Sequence, residues 1–161
     1  MSKLTRSAFP IVAGLSLALI GGGVAQAADS WLGAWKMNVA KSEFTPGPAP
    51  KSQESRFEAV AGGAVKLTTN TVDAQGKATQ AELVTMFDGK DAEVKGTSAP
   101  TTRAYSRIDD HTFEFVEKVN GKVSRKARGT VSPDGKTRTV VSTGTNAEGK
   151  PVSSKAVFER Q

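Results

Sequence analysis

Beyond residue 28 the chain alternates apolar and polar positions, and nowhere does it sustain apolar spacing at the helical period. Trp31, Gly33, Trp35 and Met37 fall on one face of a first strand, and Val65 and Leu67, continued by Thr69 and Thr71, on one face of another. Phe113, Phe115 and Val119 share a face with Glu117, and Val152, Ala156 and Phe158 form the last such set. These positions are the candidate core. Strands are predicted over 31–37, 53–60, 64–72, 78–87, 91–95, 101–108, 112–119, 122–131, 137–144 and 151–159. Asn120-Gly121 suits a two-residue hairpin loop because both residues tolerate positive φ, and Asp88-Gly89 reads the same way. Ser132-Pro133-Asp134-Gly135 joins a fixed φ to a glycine able to turn left-handed.

Short strands joined by tight turns pair in sequence order, which makes a meander. An open sheet of this size leaves two bare edges, and closure removes them. The predicted fold is therefore all-β: a single antiparallel up-and-down β-barrel of about 8–10 strands, lipocalin-like, with a sandwich as the alternative. Thr45-Pro46-Gly47-Pro48-Ala49-Pro50-Lys51 is the long irregular stretch, and its prolines make 45–51 an extended, semi-rigid connection across one end of the sheet.

The first residues have a different character. Lys3 and Arg6 precede an uncharged apolar run from Ala8 to Val24, and Ala25-Gln26-Ala27 places small residues where a signal peptidase reads them. Residues 1–27 are expected to be a cleaved signal peptide, with cleavage after Ala28 as the alternative, leaving one domain over 28–161. The location that follows is periplasmic or secreted. Its stretch from Phe9 to Ile20 is too short for a membrane span, which needs about 20 apolar residues, so no transmembrane segment is expected after processing. The chain has no cysteine, so neither a lipid anchor nor a disulfide is available and stability rests on packing and sheet hydrogen bonds. Basic residues exceed acidic ones, 22 to 16, but they are scattered, and the aromatic positions have core parity; nucleic acid is not an expected partner.

Trp31-Leu32-Gly33-Ala34-Trp35-Lys36-Met37 holds a G-x-W-K start, with Phe44 shortly after. This resembles the opening of the calycins, the lipocalins and fatty-acid-binding proteins. The resemblance implies that an arginine on the last strand packs over the tryptophan, and Arg160 stands in the corresponding place. Gly33, Trp35 and Arg160 are thus the expected structural closure of the barrel, a cation over an indole face being worth about 0.5–2 kcal/mol. The wider pattern, G-x-W-K-x-N-x-A-K-S-x-F, then a proline-rich stretch and D-G-K, R-I-D and S-x-D-G-K turns, is similar to a group of exported bacterial proteins. That group implies no activity. The chain departs from the fatty-acid-binding proteins in having no helix pair after the first strand and Ala156-x-Phe158 where they have R-x-Y.

Candidate chemistry is sparse. His111, the one histidine, sits in Asp109-Asp110-His111-Thr112 and reads as a solvent-facing turn residue, because nothing beside it completes a metal site or triad. Glu114 and Glu117 lie on opposite faces of one strand and cannot act as an acid/base pair. No catalytic residue, metal site or cofactor is read, and an enzyme is not expected; a hydrolase is the remote alternative. Arg103, Tyr105 and Arg107 alternate on one face of 101–108. Turned inward, with Phe113 and Phe115 nearby, they would hold an acidic ligand head. Turned outward they are an ordinary wet face, the orientation favoured by the cost of burying unpaired guanidiniums. Arg125, Lys126 and Arg128 meet the same objection. The expected function is an extracytoplasmic carrier or binder of a small, mainly apolar or acidic molecule; the alternative is a structural or protein-interaction module of the cell envelope, an accessory protein or inhibitor, with no internal ligand.

Overall fold

The computed structural model describes residues 29–161, so the expected signal segment lies outside the described residues. Eleven antiparallel strands form one sheet: β1 (Gly33–Met37), β2 (Glu43–Thr45), β3 (Ser52–Ala59), β4 (Val65–Val72), β5 (Ala78–Thr85), β6 (Asp88–Glu93), β7 (Thr101–Arg107), β8 (Thr112–Val119), β9 (Lys122–Val131), β10 (Thr137–Thr145) and β11 (Pro151–Arg160). The strand order β5-β4-β3-β1-β11-β10-β9-β8-β7-β6 is a meander whose two chain ends meet at β1 and β11. Its outer strands touch through one antiparallel bridge, Glu82 to Lys95, so the sheet curls into a nearly closed barrel. Inward-facing Trp35, Phe57, Leu67, Leu83, Tyr105, Phe113 and Phe158 are buried, and outward positions are mostly polar, Val84 and Val141 being exposed apolar exceptions.

The meeting of the ends has a clear physical basis. Trp35 pairs with Arg160 in register, and the guanidinium carbon lies 4.3 Å from the indole centroid. Arg160 Nη1 donates to the Leu32 carbonyl at 2.7 Å, Nε to that of Gly135 at 2.6 Å, and Nη2 to that of Ser30. Trp35 Nε1 in turn donates to the Trp31 carbonyl at 2.8 Å. Gly33 allows the approach: at φ 111° its backbone suits glycine alone, and a Cβ there would stand 2.7 Å from Arg160 Nη1.

β2 was not anticipated. β1 and β2 lie along the same edge of β11, Met37 opposite Phe158 and Glu43 opposite Lys155, interrupted by a single 3-10 turn over Val39–Lys41. The interruption leaves no ladder group stranded. Asn38 N donates to Val157 O, Val157 N donates to Ser42 Oγ at 2.9 Å, and Asn38 Oδ1 caps Lys41 N. The N-x-x-K-S part of the opening pattern is thus a capped bulge, and its product is Phe44, carried onto the barrel wall.

Asn120 (φ 50°) and Gly121 (φ 75°) both adopt the left-handed conformations that a two-residue loop requires. The reversal expected at Asp88-Gly89 falls earlier, at Phe87, which takes φ 56°. Its strain is offset by ring contacts: stacking on Trp31 at 5.7 Å and packing on Tyr105 at 5.0 Å.

Trp35→Ala should destabilise by about 3–5 kcal/mol. Arg160→Ala should cost about 1–3 kcal/mol, and Arg160→Lys should recover little of that, since an ammonium cannot serve three carbonyls and an indole face together. Urea denaturation of the three variants measures each value.

Candidate functional site: a guanidinium-lined barrel cavity

Alternation along β7 to β10 sends Arg103, Tyr105, Phe113, Phe115, Arg125, Arg138, Val140 and Ser142 to the barrel interior. There, with Phe44, Ser55, Phe57, Ala156 and Phe158, they line a cavity of about 110 Å³. The expectation that Arg103 and Arg125 face solvent is overturned: only 14% of the Arg103 side chain is exposed. The cost that argued against burial is met by Glu117 on β8. Arg103 Nε donates to Glu117 Oε2 at 2.7 Å and Arg125 Nη2 to the same oxygen at 2.9 Å. Both guanidiniums also lie over the Phe115 ring, at 5.4 and 5.2 Å. Burial pushes the Glu117 carboxyl up, but Arg125 and Arg103 outweigh it and hold the group below its ordinary range.

Four of the five residues proposed from sequence for a ligand site, Arg103, Tyr105, Phe113 and Phe115, do line this cavity. Arg107 does not. It lies one turn of alternation further along β7, at the barrel end, where Nη2 pairs with Asp29 at 2.8 Å and Asp110 at 2.5 Å and the guanidinium covers Trp31 at 5.7 Å. Its work is to fasten Asp29, ahead of β1, to the 108–111 turn. His111 is exposed in that turn, its backbone N–H capped by Asp109.

The residue that sequence reasoning missed is Arg138. It is 2% exposed, at the cavity floor, with its guanidinium carbon 4.5, 4.8 and 5.0 Å from the ring centroids of Phe158, Phe57 and Trp35. Nη2 donates to Ser55 Oγ at 2.6 Å. Among the described residues Nε and Nη1 are buried with no partner, and no carboxylate pairs with the group. Burial pulls its pKa down to about 9, Arg160 adding to the effect and Tyr105 opposing it, so at neutral pH the group is a cation. The only sequence signal was parity with Val140 and Ser142 in Thr137-Arg138-Thr139-Val140-Val141-Ser142, and the opposite face, Thr137, Thr139 and Val141, is no more polar, which blurred it.

The aromatic floor is shaped by one small residue. Gly129 faces the interior on β9, and a Cβ there would fall 2.3 Å from Phe113 Cζ, so the phenyl ring occupies the place of a side chain. Above the Arg103–Glu117–Arg125 layer the interior widens into a hollow of about 740 Å³, walled by Thr79, Ala81, Thr101, Glu117 and Val119 with Lys77 at its rim.

No family profile matches the chain, and no curated protein sequence matches it. Among solved structures, the wild-type fluorescent protein UnaG aligns with a TM-score of 0.51 at 12% identity, over 81% of this chain and 97% of that one. Two single-site variants of UnaG align at 12% identity with TM-scores of 0.47 and 0.48. What this chain and UnaG share is the fold, a single antiparallel up-and-down β-barrel. At 12% identity the likeness speaks for architecture alone, and the cavity must be read from its own residues.

An unpaired buried cation lowers stability. Arg138→Met should therefore yield a protein at least as stable as the wild type at pH 7, by up to roughly 4 kcal/mol. A folded-state pKa lowered to about 9 means the unfolded chain holds this proton more tightly, so the wild type gains stability as pH rises through about 9 and the difference between the two proteins narrows. Denaturation at pH 7 and pH 10 checks both the sign and the trend.

Proposed function

We propose that this chain is a non-enzymatic binding or carrier protein for a small acidic molecule, working in the periplasm or outside the cell. The fold is one that encloses small ligands, and the observation that carries the reading is Arg138: a guanidinium at the base of a cavity, two of its N–H groups without partners. Burial of such a group without a counter-charge costs several kcal/mol, and a carboxylate accepting from Nε or Nη1 would remove that cost through charge-assisted hydrogen bonding. Phe57, Phe113, Phe115 and Phe158 supply an apolar wall for the rest of the molecule. A cavity of about 110 Å³ is smaller than the roughly 300–1,000 Å³ of drug-sized sites. The acidic end and a few more heavy atoms fit below the Arg103–Glu117–Arg125 layer, and any remainder extends into the hollow above.

The extracytoplasmic setting rests on Lys3, Arg6, the apolar run and Ala25-Gln26-Ala27. An envelope module with a filled interior explains less, since it offers no reason to keep Arg138 buried and unpaired.

Protein purified from its own cell should release a small acid on denaturation, seen by native mass spectrometry. Benzoate or a short fatty acid at a hundredfold excess over Kd should stabilise the wild type by about 2.7 kcal/mol and leave Arg138→Met unmoved. A wild type that responds to no small carboxylate, or a variant that responds equally, sinks the reading.

A further inference from the structure

The cavity wall carries three guanidiniums, Arg103, Arg125 and Arg138, and no carboxylate. Glu117 answers the first two with a single negative charge, shared through one oxygen. Two positive charges inside the barrel therefore remain uncompensated. They are also separated. One belongs to Arg138 on the aromatic floor, and the other is shared by Arg103 and Arg125 at the level where the cavity meets the wider hollow. Each level presents a donor without an acceptor: Nε and Nη1 of Arg138 below, and the buried Nε of Arg125 above. Between the two levels the wall is aromatic, with Tyr105 tilted against Phe115 at 4.9 Å and against Phe113 at 5.8 Å.

We infer that the barrel has a second anion subsite at Arg125 and Arg103, and that its ligand is a dianion: a diacid with a short apolar or aromatic spacer. This rests on the reading of Arg138 as the first subsite. One acid group takes a free donor of Arg138, Nε or Nη1. The spacer lies along Tyr105 and Phe115. The second acid group accepts from Arg125 Nε and shares the upper guanidiniums with Glu117. A ligand of charge −2 brings the interior to neutrality, whereas a monoacid leaves the upper level with its unmatched donor. Glu117 keeps the two upper arginines in place in the empty barrel, since without it their mutual repulsion would drive them to solvent.

Two matched pairs of probes test this, benzoate against terephthalate and hexanoate against adipate, with binding followed by calorimetry and by the side-chain Nε–H signals of 15N-labelled protein. The monoacids are expected to shift the Arg138 signal alone, and the diacids to shift Arg138 and Arg125 together and bind about tenfold more tightly. Arg125→Gln should collapse the diacid preference to near parity, while Arg128→Gln, which removes an exterior guanidinium paired with Glu114, should leave it intact. If monoacids bind at Arg138 and the diacids show neither the added affinity nor the Arg125 shift, the second subsite is wrong and the proposed function stands. If no acid moves the Arg138 signal, both are wrong. Because the wild-type spectra decide the matter by themselves, the result does not depend on how well the variants fold.

Discussion

The indole of Trp35 lies within 4.3 Å of one guanidinium and 5.0 Å of another, Arg160 at the barrel end and Arg138 at the cavity floor. The first contact closes the structure. β1 and β11 come from opposite ends of the chain, and a meander whose first and last strands fail to meet is an open sheet with two bare edges. Arg160 adds three carbonyl contacts to that seam, and Gly33 leaves the space for it. The second contact gives the closed barrel its chemistry, because the ring that anchors the seam also forms part of the apolar box around Arg138.

That arrangement sets stability against binding. An apolar side chain at 138 would complete the core among Trp35, Phe57 and Phe158. An arginine there instead gives a cation that the empty protein satisfies with one hydroxyl. The penalty is bearable because the positive charge rests on aromatic faces, each contributing about 0.5–2 kcal/mol. The upper layer answers the same problem differently: Arg103 and Arg125 keep their charges by sharing Glu117. One barrel thus holds two kinds of arginine, one paired with a carboxylate and one with a hydroxyl alone.

Much of the architecture was legible from alternation and turn chemistry. The strand segments and the Asn120-Gly121 loop follow from local patterns that tertiary packing had no reason to override, whereas closure through Trp35 and Arg160 was implied by the resemblance of the G-x-W-K start to the calycins. Where reading failed, long-range partners decided. β2 exists because Val157 needs a neighbour and Ser42 Oγ supplies one, which no local preference of Glu43-Phe44-Thr45 announces. The turn at Phe87 is held by rings on Trp31 and Tyr105. For the site, parity correctly grouped Arg103 with Tyr105, but the desolvation argument pointed them outward because Glu117 was not known to stand beside them.

By itself, the sequence determined the class of fold and its topology, because period-two alternation and left-handed turn residues act within a few positions of each other. Which charged residues lie inside was settled only by closure. A strand's two faces are equivalent until a barrel forms, and the free energy of a buried guanidinium depends on groups far away along the chain. Glu117 faces Arg103 from 14 residues away, and Ser55 meets Arg138 from 83. Curvature brings such partners together, and no local pattern records them.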